Sequence, residues 1–270
     1  MRVLIISGSH PRHLYLHREI LDCASDCAAI VMDRESTIPD PPPTIYDEDK
    51  VLFNKHFGER YGIEKEYFGT TTVSDVFRDI KKIECSPEKL NSSETANFAS
   101  QFDADIAIIF GTNLIKDPLL SSLPSFSINL HLGLSPWYRG SATLFWPFYF
   151  LQPQFCGATF HQIIPEADAG DILHQFATPL QRGDGIHDVG ARTVVCARKH
   201  LRLLLNGYSN DSWRLKQQKS SGRLFLTRDF QPSHLRLIYS TFNNNIVDSY
   251  LDKILEQRPP KLIKSNLIIK

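Results

Sequence analysis

Asn129 and His131 are the residues whose types and spacing point most directly to chemistry. They close a short apolar stretch, Phe126 to Leu130, and in an extended backbone residues two apart share one face. The amide and the imidazole therefore project side by side where strand becomes loop. A lone histidine there is most often a satisfied strand-end residue. A third group changes the balance: Asp168 lies in PEADAGDI, Pro165 to Ile172, on the loop after the next expected strand. In a parallel sheet the loops after adjacent strands meet at one edge, so this separation is compatible with contact. A carboxylate within reach raises an imidazole's pKa and fixes its tautomer. A charged imidazole beside an amide is a stabiliser of oxyanions. The set holds no activated Ser or Cys. It suits direct transfer of an acyl group between two bound molecules, with one proton to manage.

The elements that must position these groups read as alternating strands and helices. Arg2 to Ser9 is an apolar strand, followed by a Gly-Ser turn and a helix over Tyr15 to Ala28. Ala28 to Met32 reads as a second strand, and four prolines between Pro39 and Pro43 mark a connection. Asp47 to Phe68 reads as a helix with a break near Gly62, and its aromatic residues suit packing better than a ligand box. A strand near Ile83 precedes Asn91 to Phe102, whose polar opening caps a helix. Asp103 to Gly111 is a buried strand, and Leu114 to Leu120 is expected to form a short turn of helix. After the Asn129–His131 strand, Ser141 to Phe150 reads as helical, Cys156 to Ile164 and Leu173 to Ala177 as strands, and Gly185 to Asn206 as a long amphipathic helix. This alternation predicts an open, mainly parallel, Rossmann-like α/β sheet with helices on both faces. From about Tyr208 the texture shifts to the strand-like runs RLFLTR and LRLIYS, a helix over Asn244 to Glu256, and a terminal run from Lys261. The expected organisation is a catalytic domain over 1–207 and a C-terminal extension or small subdomain over 208–270.

Composition narrows the function classes. The 270 residues are 42% hydrophobic and carry 30 Lys and Arg against 30 Asp and Glu, as in an ordinary globular protein. The neutrality hides an asymmetry: residues 201–270 hold 12 basic and 5 acidic residues. These charges are spread among Leu, Phe and Ile, so they read as a solvated surface and not as a nucleic-acid tail. No run approaches the length of a membrane span, and MRVLIISGSH reads as a strand, not a signal peptide. Five scattered cysteines without a CxxC pair suggest a reduced, cytoplasmic chain with neither disulfide framework nor zinc site. Gly8 stands alone after the first strand, which does not support a dinucleotide cofactor. His10, His13 and His17 have spacings that could face a metal, but no cysteine or carboxylate confirms them, so they read as surface or pocket-rim residues. No metal is expected.

At this point the residues resemble a known family. Asn129-Leu130-His131, then Leu134-Ser135-Pro136, Tyr138-Arg139-Gly140 and Asp168-Ala169-Gly170 are similar to the signature of the folate-dependent formyltransferases. The resemblance runs from roughly Glu94 to Asp188. The commoner family form has Ser-Leu-Leu-Pro where this chain has Gly133-Leu134-Ser135-Pro136. The resemblance implies that Asn129, His131 and Asp168 form a catalytic trio and that the donor is N10-formyltetrahydrofolate. The pterin would lie among Phe110, Gly111, Thr112 and Leu114 and the segment carrying Ala169 and Gly170. Trp137, Tyr138, Arg139 and Gly140 would meet the acceptor. Among family members, the nucleotide-sugar N-formyltransferases, with their short C-terminal appendages, match best. The expected partner is a small-molecule amine, a nucleotide-linked amino sugar, with no membrane and no nucleic acid; a homodimer is compatible with this. The alternatives are a methionyl-tRNA formyltransferase, for which residues 208–270 are short of a C-terminal barrel, and a formyltetrahydrofolate hydrolase, which usually carries a domain before the core.

Overall fold

Burial on both faces explains the first strand, β1 (Arg2–Gly8). Val3 and Ile5 point to one side of the sheet and Leu4 and Ile6 to the other, and all four are fully buried, so the strand reads as a continuous apolar run. The computed structural model describes residues 1–208, 213–218 and 222–267. In chain order, β1 is followed by α1 (Pro11–Cys23), β2 (Asp26–Met32), α2 (Asp47–Phe68), α3 (Val73–Val76), β3 (Lys81–Cys85), α4 (Ser93–Phe102) and β4 (Ile106–Phe110). Next come β5 (Phe126–His131), β6 (Tyr138–Gly140), α5 (Trp146–Tyr149), β7 (Gly157–Gln162), β8 (Ile172–Ala177), α6 (Ile186–Asn206), β9 (Arg223–Phe225) and α7 (Ile246–Leu251).

Seven strands form one sheet in the order β3-β2-β1-β4-β5-β7-β8. The first five run parallel, whereas β7 is antiparallel to both β5 and β8. Helices α1 and α6 bury Leu14, Leu16, Val194 and Leu201 on the face that carries Val3 and Ile5. The two helices are tied by Glu19, which pairs with Arg198 and Arg202. Ala99 and Phe102 of α4 cover the opposite face, with Leu4 and Ile6. The outer edge of β8 is closed by Lys216, whose backbone exchanges hydrogen bonds with Ile172, and by Ile263, whose carbonyl accepts from Gln175 N–H. The α/β architecture matches the pattern expected from the sequence.

Several local expectations change. Helix α1 starts at Pro11, where a missing N–H costs nothing, and ends before the expected position. Helix α2 runs through Gly62 without a break. Between Ser141 and Phe150 only α5 is helical, because Ala142 takes a positive φ. In place of the helical turn expected over Leu114 to Leu120, a short 3-10 turn forms at Leu120–Ser122. The run LRLIYS is a helical turn and not a strand: Leu237–Thr241 is wound, and Leu235, Ile238 and Tyr239 are buried at helical spacing. The helix expected over Asn244 to Glu256 is limited to α7, and Lys253 just beyond it has a positive φ. Residues 268–270 of the terminal run lie outside the described residues. No described helix is long and apolar enough to cross a membrane.

The segment from β9 onward packs back on the middle of the chain. Phe225, Leu235, Ile238, Ile246 and Val247 share a core with Tyr138, Phe145 and Trp146 and with Phe53 of α2. Strand β9 pairs in parallel with β6. This second core lies beside the sheet and forms one wall of the cleft described below.

Burial also leaves an acid-labile signature. His17, His174 and His187 are held at about 3, chiefly by burial. In the unfolded chain an imidazole titrates at about 6.5, so below that pH the unfolded state takes up protons that the fold refuses. Stability is therefore expected to fall as pH drops from about 6.5 toward 3, by at most ~1.4 kcal/mol per pH unit and histidine. His17 is fully buried, and neither ring nitrogen has a hydrogen-bond partner among the described residues. His17→Leu should flatten the acid limb of stability against pH by about one proton; denaturant unfolding between pH 6.5 and 4.5 measures this, and an unchanged slope would count against it.

Candidate active site

Alternation along β5 places Asn129 and His131 on one face, as their spacing predicts. Across the antiparallel pair, Asn129 faces His161 and His131 faces Thr159. Paired residues point to the same side, so His161 joins the group. Asp168 comes from the loop between β7 and β8, where it holds a left-handed φ of 50°. The convergence has a different cause from the one expected. Because β7 runs antiparallel to β5, its following loop starts at the far end of the strand and has to fold back. Gly170 allows that return, since a Cβ there would run into Gln162 O. Gln218 fixes it, donating from Nε2 to the carbonyls of Asp168 (3.1 Å) and Gly170 (2.9 Å).

The Asp168 carboxylate is the centre of the network. Its Oδ2 accepts from Gly140 N–H at 2.8 Å and faces His131 Nδ1 at 3.3 Å. Its Oδ1 lies 3.4 Å from Asn129 Nδ2 and 3.3 Å from His161 Nε2. Asn129 Nδ2 also donates toward His161 Nε2 at 3.1 Å. His161 Nδ1 faces the carbonyl of Gln162 at 2.9 Å, and its Nε2 sits between the Asn129 amide and Asp168 Oδ1. The Asn129 amide orientation follows from these two partners. Both of its N–H groups point at Asp168 and His161.

Electrostatics sets the proton positions. Burial pushes the Asp168 carboxyl up, but His131, His161 and the Gly140 N–H together hold it well below the usual carboxylate range. It is ionised at neutral pH. His131 goes the other way from expectation. Burial lowers its pKa below the ordinary value, and Asp168 and the Tyr138 carbonyl only partly offset that. Asp168 therefore orients His131 without holding it charged. The ring's Nε2 lies 2.8 Å from the Tyr138 carbonyl, so both nitrogens face acceptors and a proton gained there finds a partner on either side.

The network forms the floor of a cleft of about 590 Å3, which falls in the range of small-molecule sites. It opens at the carboxyl ends of β1, β4 and β5, where the strand order reverses between β1 and β4, the usual ligand position in open α/β sheets. Phe110, Gly111, Thr112 and Leu114 line it, as expected. Ala169 and Gly170 do not; Glu166, Ala167 and Asp168 take that wall. Gly140 lines the cleft, but the rest of the expected acceptor loop does not. Trp137 lines a separate cleft with Gln175 and Lys216. Tyr138 is buried, stacks on Phe225 and donates its hydroxyl to Gln152. Arg139 is half-buried and lines neither cleft.

Sequence reasoning missed His161, the wall from Leu224 to Thr227, and the basic pair Arg12 and Arg34, whereas His13 lines the cleft in keeping with the pocket-rim reading. Arg12 and Arg34 follow the ends of β1 and β2, a position that is itself a signal in a parallel sheet. The three spaced histidines are not surface residues: His10, His13 and His17 are all buried, and His13 packs edge-on to Phe110. Among the described residues no group of three or more His, Cys, Asp or Glu could hold a metal ion.

The family described as formyl transferase matches residues 64–203, just over half of the chain. The methionyl-tRNA formyltransferase of Streptococcus sanguinis strain SK36 is 26% identical over 178 residues, covering 65% of this chain and 56% of that protein. The chain spans about half the length of the curated relatives it matches. An N-formyltransferase from Helicobacter canadensis, solved with folinic acid and dTDP-3-aminofucose, superposes with a TM-score of 0.58 at 15% identity, covering 86% of this chain and 73% of that one. A sugar N-formyltransferase from Shewanella sp superposes with a TM-score of 0.56 at 17% identity, covering 85% of this chain and 78% of that one. At these identities the structures share the fold.

Proposed function

This chain belongs to the formyl transferase family, and we propose that it moves a formyl group from N10-formyltetrahydrofolate to the amine of a nucleotide-linked amino sugar. The observation that carries the reading is the convergence of Asn129, His131 and Asp168 on the floor of a cleft at the sheet's switch point. The cleft suits the donor. Ile109, Phe110, Ile163 and Leu224 offer apolar contact for a flat ring system, and the backbone from Gly111 to Ile115 offers hydrogen-bonding edges. When bound, the donor supplies an activated formyl carbon.

The residues of the chain then have distinct tasks. As the new carbon–nitrogen bond forms, the attacking amine loses one proton, and the departing N10 gains one. Held ionised, Asp168 is a weak base; its task is to fix His131 and to stabilise a passing positive charge. His131, kept neutral by burial and with a proton partner on each side, is the group suited to carry that proton. The Asn129 and His131 N–H groups are the donors for negative charge on the formyl oxygen, each contributing about 3 kcal/mol. For this they must exchange their contacts with Asp168, His161 and Tyr138. The long Asn129–Asp168 and His131–Asp168 distances suit such an exchange, since catalytic hydrogen bonds often tighten only with substrate bound.

The sugar acceptor is supported by the way the C-terminal segment closes on β6 and α5 and walls a cleft of small-molecule size. The Helicobacter protein bound to an amino-sugar nucleotide shares this fold. We read residues 1–207 as the catalytic body and 208–270 as an extension that completes its wall. The Streptococcus relatives are methionyl-tRNA formyltransferases, which makes aminoacylated initiator tRNA the second candidate acceptor. The test is formylation with N10-formyltetrahydrofolate of a panel of amino-sugar nucleotides and of charged initiator tRNA. The expected product is a formylated sugar nucleotide, reduced by about a hundredfold or more in His131→Ala. Formylation of the tRNA alone would overturn the acceptor assignment, and near-native transfer by His131→Ala the site assignment.

A further inference from the structure

Behind the cleft lies a second lobe of about 510 Å3, which shares Arg12, Arg34 and Thr143 with the first. Its outer wall is α2, the segment that stands between β2 and β3 and contributes Phe57 and Arg60. Phe230, from beyond β9, packs edge-on against Phe57, and both rings line the lobe. The buried side holds His56 and His187, linked through the Tyr239 hydroxyl at 2.9 and 3.3 Å. Burial first lowers the pKa of both imidazoles, so this side is polar but uncharged.

The charge of the lobe is therefore set by three arginines and two carboxylates. Arg12 is bound by both oxygens of Glu64 at 2.8 Å, and Arg34 is paired with Glu35. Arg60 has no carboxylate partner among the described residues; it donates only to the Thr37 carbonyl, and its Nε is buried without a partner. Burial, followed by the like charge of Arg12, pulls its pKa down to about 10. It is still a cation at neutral pH. The guanidinium lies over the Phe57 ring, 4.6 Å from its centroid, and Glu64 and Glu35 only partly offset its desolvation; its planar fork matches phosphate oxygens. Arg60 lines this lobe together with Arg12 and Arg34, and those two also line the Asp168 cleft.

We infer that this lobe holds the phosphate-bearing end of the acceptor, with Arg60 as its anion contact and Phe57 and Phe230 as apolar walls. The inference rests on the formyl-transfer reading above and specifies it: the acceptor is a phosphorylated amine, and α2 is a substrate-binding element. The shared chemistry is phosphate, whether free or in a nucleoside diphosphate.

Titration of the full chain with dTDP, UDP and inorganic pyrophosphate, with folinic acid measured in parallel, tests this. The expected results are nucleoside diphosphate binding that pyrophosphate displaces, and a roughly tenfold or greater loss of affinity in Arg60→Met. Arg60→Lys should fall between the two. Folinic acid affinity should be the same in all three proteins, which also serves as the folding control. Equal nucleotide affinity in Arg60→Met and wild type would overturn the inference. So would no binding of any phosphate compound, or an Arg60→Met defect in folinic acid binding alone. Failure of wild type to bind folinic acid would instead count against the formyl-transfer reading.

Discussion

Asp168→Asn should lower formyl transfer by about three orders of magnitude while the chain stays folded. The substitution preserves shape, so the loop between β7 and β8 can keep its path. It removes the charge on which Gly140 N–H, His131, His161 and Asn129 converge. It also introduces an NH2 group, which must face at least one of those donors and breaks the network further. The second consequence falls on His131. Burial already lowers its pKa, and Asp168 is the largest influence raising it. Without the carboxylate its pKa falls further, so the acid limb of the residual pH–rate profile should move to lower pH. The loss is expected in kcat more than in the KM for the donor, because Asp168 acts on the reacting groups. Activity within tenfold of wild type, or an unmoved acid limb, would remove Asp168 from the mechanism.

Gly140→Ala should cost about 2–4 kcal/mol of stability and disable the site at the same time. Gly140 has a φ of 89°, a region disfavoured for any residue with a Cβ. An added Cβ would run into Phe225 O, the carbonyl that accepts from Ser141 N–H where β6 meets β9. The strand pair must open, and with it the cleft wall from Leu224 to Thr227. The Gly140 N–H also leaves Asp168 Oδ2. Gly62→Ala is the control. Gly62 is an exposed residue within α2 with nothing near its missing Cβ, and alanine there should stabilise by roughly 0.5–1 kcal/mol. Thermal unfolding of both variants should move in opposite directions. Two shifts of the same sign would contradict the role given to Gly140.

What the sequence revealed follows the reach of each signal. The shared face of Asn129 and His131 is a local consequence of strand geometry, so it was legible. The alternating apolar strands and amphipathic helices also declared the α/β class, because each element must bury its own face. Asp168 could be assigned to the site, but the reason it reaches His131 could not. Parallel pairing was expected, and the actual route is a returning loop permitted by Gly170 and pinned by Gln218. His161 was hidden for a related reason: one histidine in an apolar strand resembles a core residue until its cross-strand partner, Asn129, is known. Tyr138 was expected to meet the acceptor, but its ring is taken up by long-range packing. Tyr138 is drawn under Phe225, more than eighty residues away in the chain. The helical turn at Leu237–Thr241 was mistaken for a strand because LRLIYS is rich in β-prone residues. Its buried positions show helical spacing only once the second core is seen.

The formyl-transfer account stands or falls on how tetrahydrofolate release depends on an amine. The direct measurement is tetrahydrofolate appearance from N10-formyltetrahydrofolate by the full chain, with and without an amino-sugar nucleotide and with product formylation measured alongside. The predicted result is release equal in amount to formylated amine, negligible without the amine, and lost in Asp168→Asn. Equal release with and without amine would identify water as the acceptor and a hydrolase in place of a transferase, and no release with any amine would contradict formyl transfer itself.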